Sequence, residues 1–251
     1  MTGLRMRRVA VFHIPRTAGK WVHEIVRVNN LENSVLWRGH NALRQTQPHR
    51  MLIGRLALTV RDPISWYQSQ ENFTKGMAEP NPMKLLSREG RDGLEGALER
   101  MQSAEELRLL SLSHPEVSFF KKALTPAPWD FMRETGLGLW SWAIRHMMSA
   151  PHPKQWRAAD VPVPLGQIFV IRQGSLLEDL QTLFARDLFV PDEVGPERDD
   201  RSADYEAHQL GSLEGKFPFL AQEIRHWETI ARYDQTHLAR KVAFFPLAHR
   251  Y

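Results

Sequence analysis

The stretch that most constrains the fold is residues 8–28, RVAVFHIPRTAGKWVHEIVRV. Arg8 to His13 is short, apolar and β-branched, which predicts a buried strand. Pro15 to Gly19 is a turn rich in small residues. From Lys20 to Val28 the apolar positions Val22, Ile25 and Val26 recur at helical spacing, which predicts a helix with one buried face. A strand that runs through a tight turn into a helix is the opening half of a parallel βαβ unit. Such a unit needs further strands beside it and helices to cover both sheet faces.

The rest of the chain supplies them. Val35–Trp37 reads as a second strand ending at Arg38-Gly39-His40, and Leu52–Val60 as a third ending at Arg61-Asp62-Pro63. Asp62 fits an N-cap and Pro63 the first turn of a helix that continues through Trp66, Tyr67 and Phe73 to about Gly76. From Glu79 to Pro164 the pattern changes to scattered prolines and glycines. Between them lie helical patches at Leu94–Met101, Glu105–Leu112 and Leu139–Met148. This predicts a mostly helical insertion. Gln167–Arg172 reads as a strand and Leu176–Phe184 as the helix after it. A charged loop at Glu193–Tyr205 and two helices, Phe219–Tyr233 and Asp234–Val242, complete the chain. The expectation is one α/β domain over residues 1–251, three-layered, with a central parallel sheet and helices on both faces. No internal repeat is seen.

Composition removes several function classes. The 251 residues include no cysteine, so disulfides, thiolate catalysis and Cys-ligated metals are excluded, and a cytoplasmic setting is expected. The net charge of +4 suits an anionic ligand but is too small and too dispersed for a nucleic-acid binder. No apolar run is long enough to span a bilayer. The apolar run after the basic N-terminus is too short for a signal peptide and ends at Pro15.

In open parallel sheets, ligands bind beyond the carboxyl ends of the strands. Three segments fall there: the turn after His13, His40, and Arg61. Backbone amides at the turn and the helix start behind it favour an anion, with Arg16, Thr17 and Lys20 adding charge and a hydroxyl. Gly19-Lys20 echoes a nucleotide-binding Walker loop, but Ile14 stands where that loop begins with glycine, and Trp21 where it places Ser or Thr. Further on, Ser69 lies eight residues after Arg61, just over two helical turns, so that both can face one anion.

Together the two segments resemble the family of sulfotransferases that use 3′-phosphoadenosine 5′-phosphosulfate (PAPS). That family carries a loop of the form HIPKTGGTS, or YPKSGTTW in its cytosolic branch; here the stretch reads HIPRTAGKW. The carbohydrate and bacterial branch is the nearer of the two. An Arg-x-Pro segment with a serine eight residues on is also similar, here RDPISWYQS, as is QIFVIRQGSLLEDLQTLF to a later strand and helix. The resemblance implies a P-loop-NTPase-like fold. It implies a loop of Arg16, Thr17, Ala18, Gly19 and Lys20 on the 5′-phosphosulfate, with Arg61 and Ser69 on the 3′-phosphate. Trp21 stands where the cytosolic branch places a tryptophan at the adenine, although packing of the helix accounts for it equally well.

Two positions depart from the family pattern. Arg16 replaces the lysine that contacts the transferring group, keeping the charge on a larger planar head, and Lys20 replaces a threonine. The implied reaction moves a sulfuryl group to a hydroxyl acceptor, such as a carbohydrate, without a metal. A histidine after the second strand serves as base in the carbohydrate branch, which nominates His40. His13 belongs to the strand and is expected to pack or bond locally. Trp129, Trp140, Trp142 and Trp156 of the insertion offer aromatic faces to an acceptor, but their spacing favours core. Arg198 and Arg201 fall in the charged loop, to be read as solvated. The competing readings are a nucleotide-dependent kinase and a non-catalytic nucleotide binder of the same fold.

Overall fold

The structure, a computed structural model, describes residues 8–40, 53–117, 128–150, 161–162, 168–190 and 207–235. The strands β1 (Arg8–His13), β2 (Val35–Gly39), β3 (Ile53–Val60) and β6 (Ile168–Arg172) form one sheet in the order β2-β1-β3-β6, and every neighbouring pair is parallel. A separate two-stranded antiparallel ribbon, which the sequence reading does not anticipate, joins β4 (Ser149–Ala150) to β5 (Val161–Pro162).

Side chains alternate across a strand, so a sheet covered on both faces is apolar at most positions, with Thr59 of β3 a buried exception. On one face Val9, Val11, Ala57, Phe169 and Ile171 pack with Val22, Ile25 and Val26 of α1 (Gly19–Val28) and Leu180, Leu183 and Phe184 of α8 (Leu176–Phe184). On the other, Ala10, Phe12, Leu58, Val60, Ile168 and Val170 meet a larger helical layer. That layer holds α2 (Pro63–Thr74), α3 (Pro82–Leu86), α4 (Gly93–Gln102), α5 (Ala104–Ser113), α6 (Pro128–Thr135), α7 (Leu139–Met147), α9 (Ala207–Lys216) and α10 (Pro218–Arg232). The architecture is therefore a three-layer α/β arrangement around a small parallel sheet. Trp129, Trp140 and Trp142 are buried in its larger core, as their helical spacing favours.

Three helices, α3, α6 and α9, go beyond the sequence reading; α3 and α6 are short and begin at a proline. One expectation needs correction. Asp234 and Gln235 do not start a helix; α10 ends at Arg232, and residues from 236 onward lie outside the described residues. Gln235 has another task there. Its side-chain Oε1 accepts from Val170 N at 2.7 Å and its Nε2 donates to Val170 O at 2.5 Å. The amide thus stands in for a neighbouring strand at the β6 edge, where the ladder would otherwise stop. Gln235→Leu leaves that buried backbone pair unmatched, and urea unfolding is expected to show a loss of about 2 kcal/mol.

The helical layer is tied together around Glu223, which is 0 % exposed. Its Oε2 accepts from the Tyr67 hydroxyl at 2.9 Å, and its Oε1 accepts from Gly138 N at 3.1 Å and Ser141 N at 2.9 Å, at the start of α7. Gly138 cannot carry a side chain, because a Cβ would fall 2.2 Å from the Tyr67 oxygen. Burial raises the Glu223 carboxyl to about 7, against the pull of its donors. The folded state then holds a proton that the unfolded chain has released. Glu223 therefore stabilises the fold fully below pH ~4.5, and that contribution drains away as pH rises through about 7. Glu223→Gln is expected to abolish this falling component when unfolding free energies of the two proteins are compared between pH 4.5 and 8.

Candidate functional site

Because β2, β1 and β3 are parallel neighbours, their carboxyl ends share one edge. The register sets His13 opposite Thr59, so the loop after β1 and Arg61 after β3 emerge side by side. The loop has an unusual backbone. Arg16 (φ 69°) and Ala18 (φ 60°) are both left-handed, while Thr17 between them is not. An alternating backbone of this kind turns successive amides toward one concavity, which favours an anion.

Side chains hold the loop from both sides. Thr17 is 1 % exposed; its hydroxyl donates to Ile14 O at 2.7 Å and meets the Thr59 hydroxyl at 2.7 Å. This hydroxyl, read from sequence as a ligand contact, is directed inward. From α2, Trp66 Nε1 and Gln70 Nε2 both donate to Pro15 O, at 2.8 and 3.0 Å. On the same helix face Ser69 Oγ accepts from Arg16 Nε at 3.0 Å, and the Phe73 ring lies 4.9 Å from the Arg16 guanidinium carbon. Positions 66, 69, 70 and 73 recur at the helical period, so a single stripe grips the loop. Ser69, expected beside Arg61, is thus placed against Arg16.

The helix starts at this edge differ. At α2 the Asp62 side chain caps Ser65 N at 2.8 Å. The first turn of α8 carries Glu178 and Asp179. The first turn of α1 has no acidic residue, and its N-cap, Ala18, has no side chain to offer. Its ladder opens with Val22 N to Ala18 O at 3.1 Å, which leaves the amides of Gly19 and Lys20 ahead of the first helical bond. The start of α1 is therefore the one of the three best suited to an outside anion. Lys20 is exposed there, while Trp21 is partly buried and packs on the α1 side of the sheet.

Arg61 is 7 % exposed, and its carbonyl accepts from Trp140 Nε1 of α7 at 2.9 Å, so the helical layer fixes this strand tip. At the tip of β2, His40 meets His13: His40 Nε2 lies 3.1 Å from His13 Nδ1, with ring centroids 4.1 Å apart and nearly edge-on. Trp37 lies 5.4 Å from the His13 ring and 5.2 Å from that of His23 on α1. Burial, and then the His40 charge, lower His13 to about 3, and partial burial also lowers His40. Both rings are therefore neutral at pH 7. The pairing of His13 with His40 was not read from sequence; the signal for it was two histidines at the ends of strands that the βαβ pattern makes neighbours.

The remaining histidines of the described chain are elsewhere. His146 stacks on Trp142 in the core and His114 bonds Ser113, while His208 lies on α9 and His226 on α10. His152, His237, Trp156, Arg198 and Arg201 lie outside the described residues. A hollow of about 220 Å³, lined by Met101, Leu107, Met132 and Phe219 among others, belongs to the helical layer and not to the strand tips. Among the described residues, no group of three or more His, Asp or Glu could hold a metal ion, and no helix is long and apolar enough to cross a membrane.

No protein-family model, curated protein or solved structure matches the chain. Thr17→Val removes a hydroxyl that satisfies two buried partners, and denaturant unfolding is expected to show a loss of about 1–3 kcal/mol, recovered by Thr17→Ser.

Proposed function

We propose that the chain is a PAPS-dependent sulfotransferase of P-loop-like fold, transferring the sulfuryl group to a hydroxyl acceptor such as a carbohydrate. The observation that carries this reading is the Arg16–Ser69 contact at the uncapped start of α1, which ties the loop after β1 to the helix that follows Arg61. It joins the two separate segments on which the family resemblance stands. A chain without cysteine suits a cytoplasmic enzyme as well.

PAPS supplies the sulfuryl group and leaves as adenosine 3′,5′-bisphosphate. Arg16 and the amides ahead of the α1 ladder stabilise the charge that grows on the departing 5′-phosphate oxygen as its bond to sulfur breaks. Lys20 adds a second cation at the helix start. Arg61 and Ser69 hold the 3′-phosphate, Arg61 through its planar, multiply donating head. Trp21 offers its ring to the adenine. His40, neutral at pH 7, takes the acceptor's proton as the acceptor oxygen bonds to sulfur. The catalysis is mainly positioning and electrostatics, as in the related phosphoryl transfers.

The decisive experiment pairs binding with turnover. Arg61→Ala is expected to weaken adenosine 3′,5′-bisphosphate binding at least tenfold, or ~1.4 kcal/mol, by calorimetry. His40→Ala keeps that binding and loses roughly 10²–10⁴-fold in transfer from labelled PAPS to a panel of hydroxyl acceptors. Unchanged affinity in Arg61→Ala overturns the site. Transfer abolished by EDTA favours a metal-dependent kinase instead, and tight binding with no transfer to any acceptor favours a non-catalytic binder.

A further inference from the structure

Ser69 is the residue that the sequence sets on a phosphate, yet it is 3 % exposed. Its hydroxyl meets Arg16 Nε at 3.0 Å. A guanidinium N–H can only donate, so Ser69 Oγ is the acceptor in that contact. Other helical hydroxyls in the described residues donate back to a carbonyl three or four positions earlier. Thr74 does so to Glu71 O at 2.9 Å, and Ser113 to Leu109 O at 2.8 Å. Ser69 makes no such bond among the described residues. Its hydroxyl is given to an arginine 53 positions away in sequence.

Arg16 is the partly exposed member of the pair. Its backbone belongs to the loop after β1, and its head lies on α2, against Ser69 and within 4.9 Å of the Phe73 ring centre. The same helix holds the root of the side chain, because Trp66 and Gln70 both bind the preceding carbonyl, Pro15 O. A cation that starts in one anion-binding segment is thus carried to the other.

We propose that Arg16 is the specificity-determining residue for the 3′-phosphate, and that Ser69 is a positioning residue that acts through Arg16 and not as a ligand itself. This rests on the reading of the chain as a PAPS-dependent enzyme and deepens it. A buried hydroxyl offers a phosphate dianion one hydrogen and no charge. A guanidinium offers a full charge and a planar set of donors, and the bond from Nε to Ser69 fixes the orientation of that plane. A lysine could not be held this way, since its ammonium is a point charge on a flexible stem. The exchange of the family lysine for Arg16 then has a consequence: the cation of the 5′ loop also reads the 3′ end of the ligand.

The test compares adenosine 3′,5′-bisphosphate with adenosine 5′-monophosphate, which differ only in the 3′-phosphate, by calorimetry on the full chain. The ratio of the two affinities is what is read, because a variant that merely loosens the loop weakens both ligands and leaves the ratio alone. The wild type is expected to favour the bisphosphate, and Arg16→Ala to cut that preference by about tenfold or more. Ser69→Ala is expected to cut it similarly in the wild type, but by less than about twofold in an Arg16→Ala background. Arg16→Lys keeps the charge without the Nε donor and is expected to behave like Ser69→Ala, whereas Ser69→Thr, which keeps the hydroxyl, recovers most of the ratio. A preference unmoved by Arg16→Ala overturns the proposal. So do Arg16→Ala and Ser69→Ala effects that multiply, since Ser69 is then a phosphate ligand in its own right. A wild-type measurement decides the matter should the alanine variants fail to fold. The Arg16 Nε–H signal, assigned by its loss in Arg16→Lys, is expected to shift with the bisphosphate and not with the monophosphate, and equal shifts overturn the proposal. A wild type that binds neither nucleotide, or both alike, sinks the PAPS reading and the proposal together. A wild type that favours the bisphosphate with no dependence on Arg16 sinks the proposal alone.

Discussion

The arrangement of the site depends on two hydrogen bonds to a single carbonyl. Trp66 Nε1 and Gln70 Nε2, one turn apart on α2, both donate to Pro15 O. Proline offers no N–H in return, so the carbonyl is its only polar handle on the backbone, and both of its lone pairs are used. With Pro15 held, the chain must reverse over three residues before α1 begins, and it does so through two left-handed positions that are not glycine. Each costs roughly 1–2 kcal/mol against an ordinary conformation. The Thr17 bonds to Ile14 O and Thr59, and the Arg16 bond to Ser69, offset that cost. Backbone strain collected at a strand tip, under a helix start without a cap, is where a ligand-binding role is to be sought.

The larger helical layer takes part in this more than its distance in sequence suggests. Trp140 is a core residue, yet its indole N–H holds the carbonyl of Arg61, and its backbone N–H donates to the Tyr67 hydroxyl at 3.1 Å. Tyr67 in turn donates to Glu223 of α10. Strand tip, α2, α7 and α10 are thereby one hydrogen-bonded unit inside an apolar core. A buried network of this kind rigidifies what it connects. The backbone of Arg61 is thus held by α7, which the chain adds between β3 and β6, and the Arg16 head by the helix that follows β3.

What the sequence makes legible follows from which signals are local. The strand–turn–helix at residues 8–28 and the N-cap of α2 at Asp62 are set by neighbours within a few positions, and both stand where periodicity and capping put them. So is the parallel order of strands that alternate with helices. The inward turn of Thr17 could not be read, because its partner Thr59 lies 42 residues away on another strand. The same holds for Gln235, which looked like helix and is an edge partner for Val170 65 residues earlier. The helices α3 and α6, of five and eight residues among scattered prolines, escaped because so few positions show no clear period. The His13–His40 contact lies between these cases: each histidine ends a readable strand, but only the pairing of β1 with β2 makes them partners.

The proposed resemblance puts a lysine where this chain has Arg16, and the contacts of Arg16 suit its larger planar head. A lysine at this position, as a point charge on a flexible stem, needs no side-chain partner. Arg16 emerges from a left-handed residue, and a guanidinium has donors on distinct sides of a plane. It spends Nε on Ser69 and rests its face near Phe73. Those two contacts fix the orientation of the guanidinium plane beside the start of α1. Ser69 therefore braces the Arg16 head at the start of α1. The serine eight residues after the strand tip and the arginine in the loop are two ends of one device, although nothing in either segment alone reveals it.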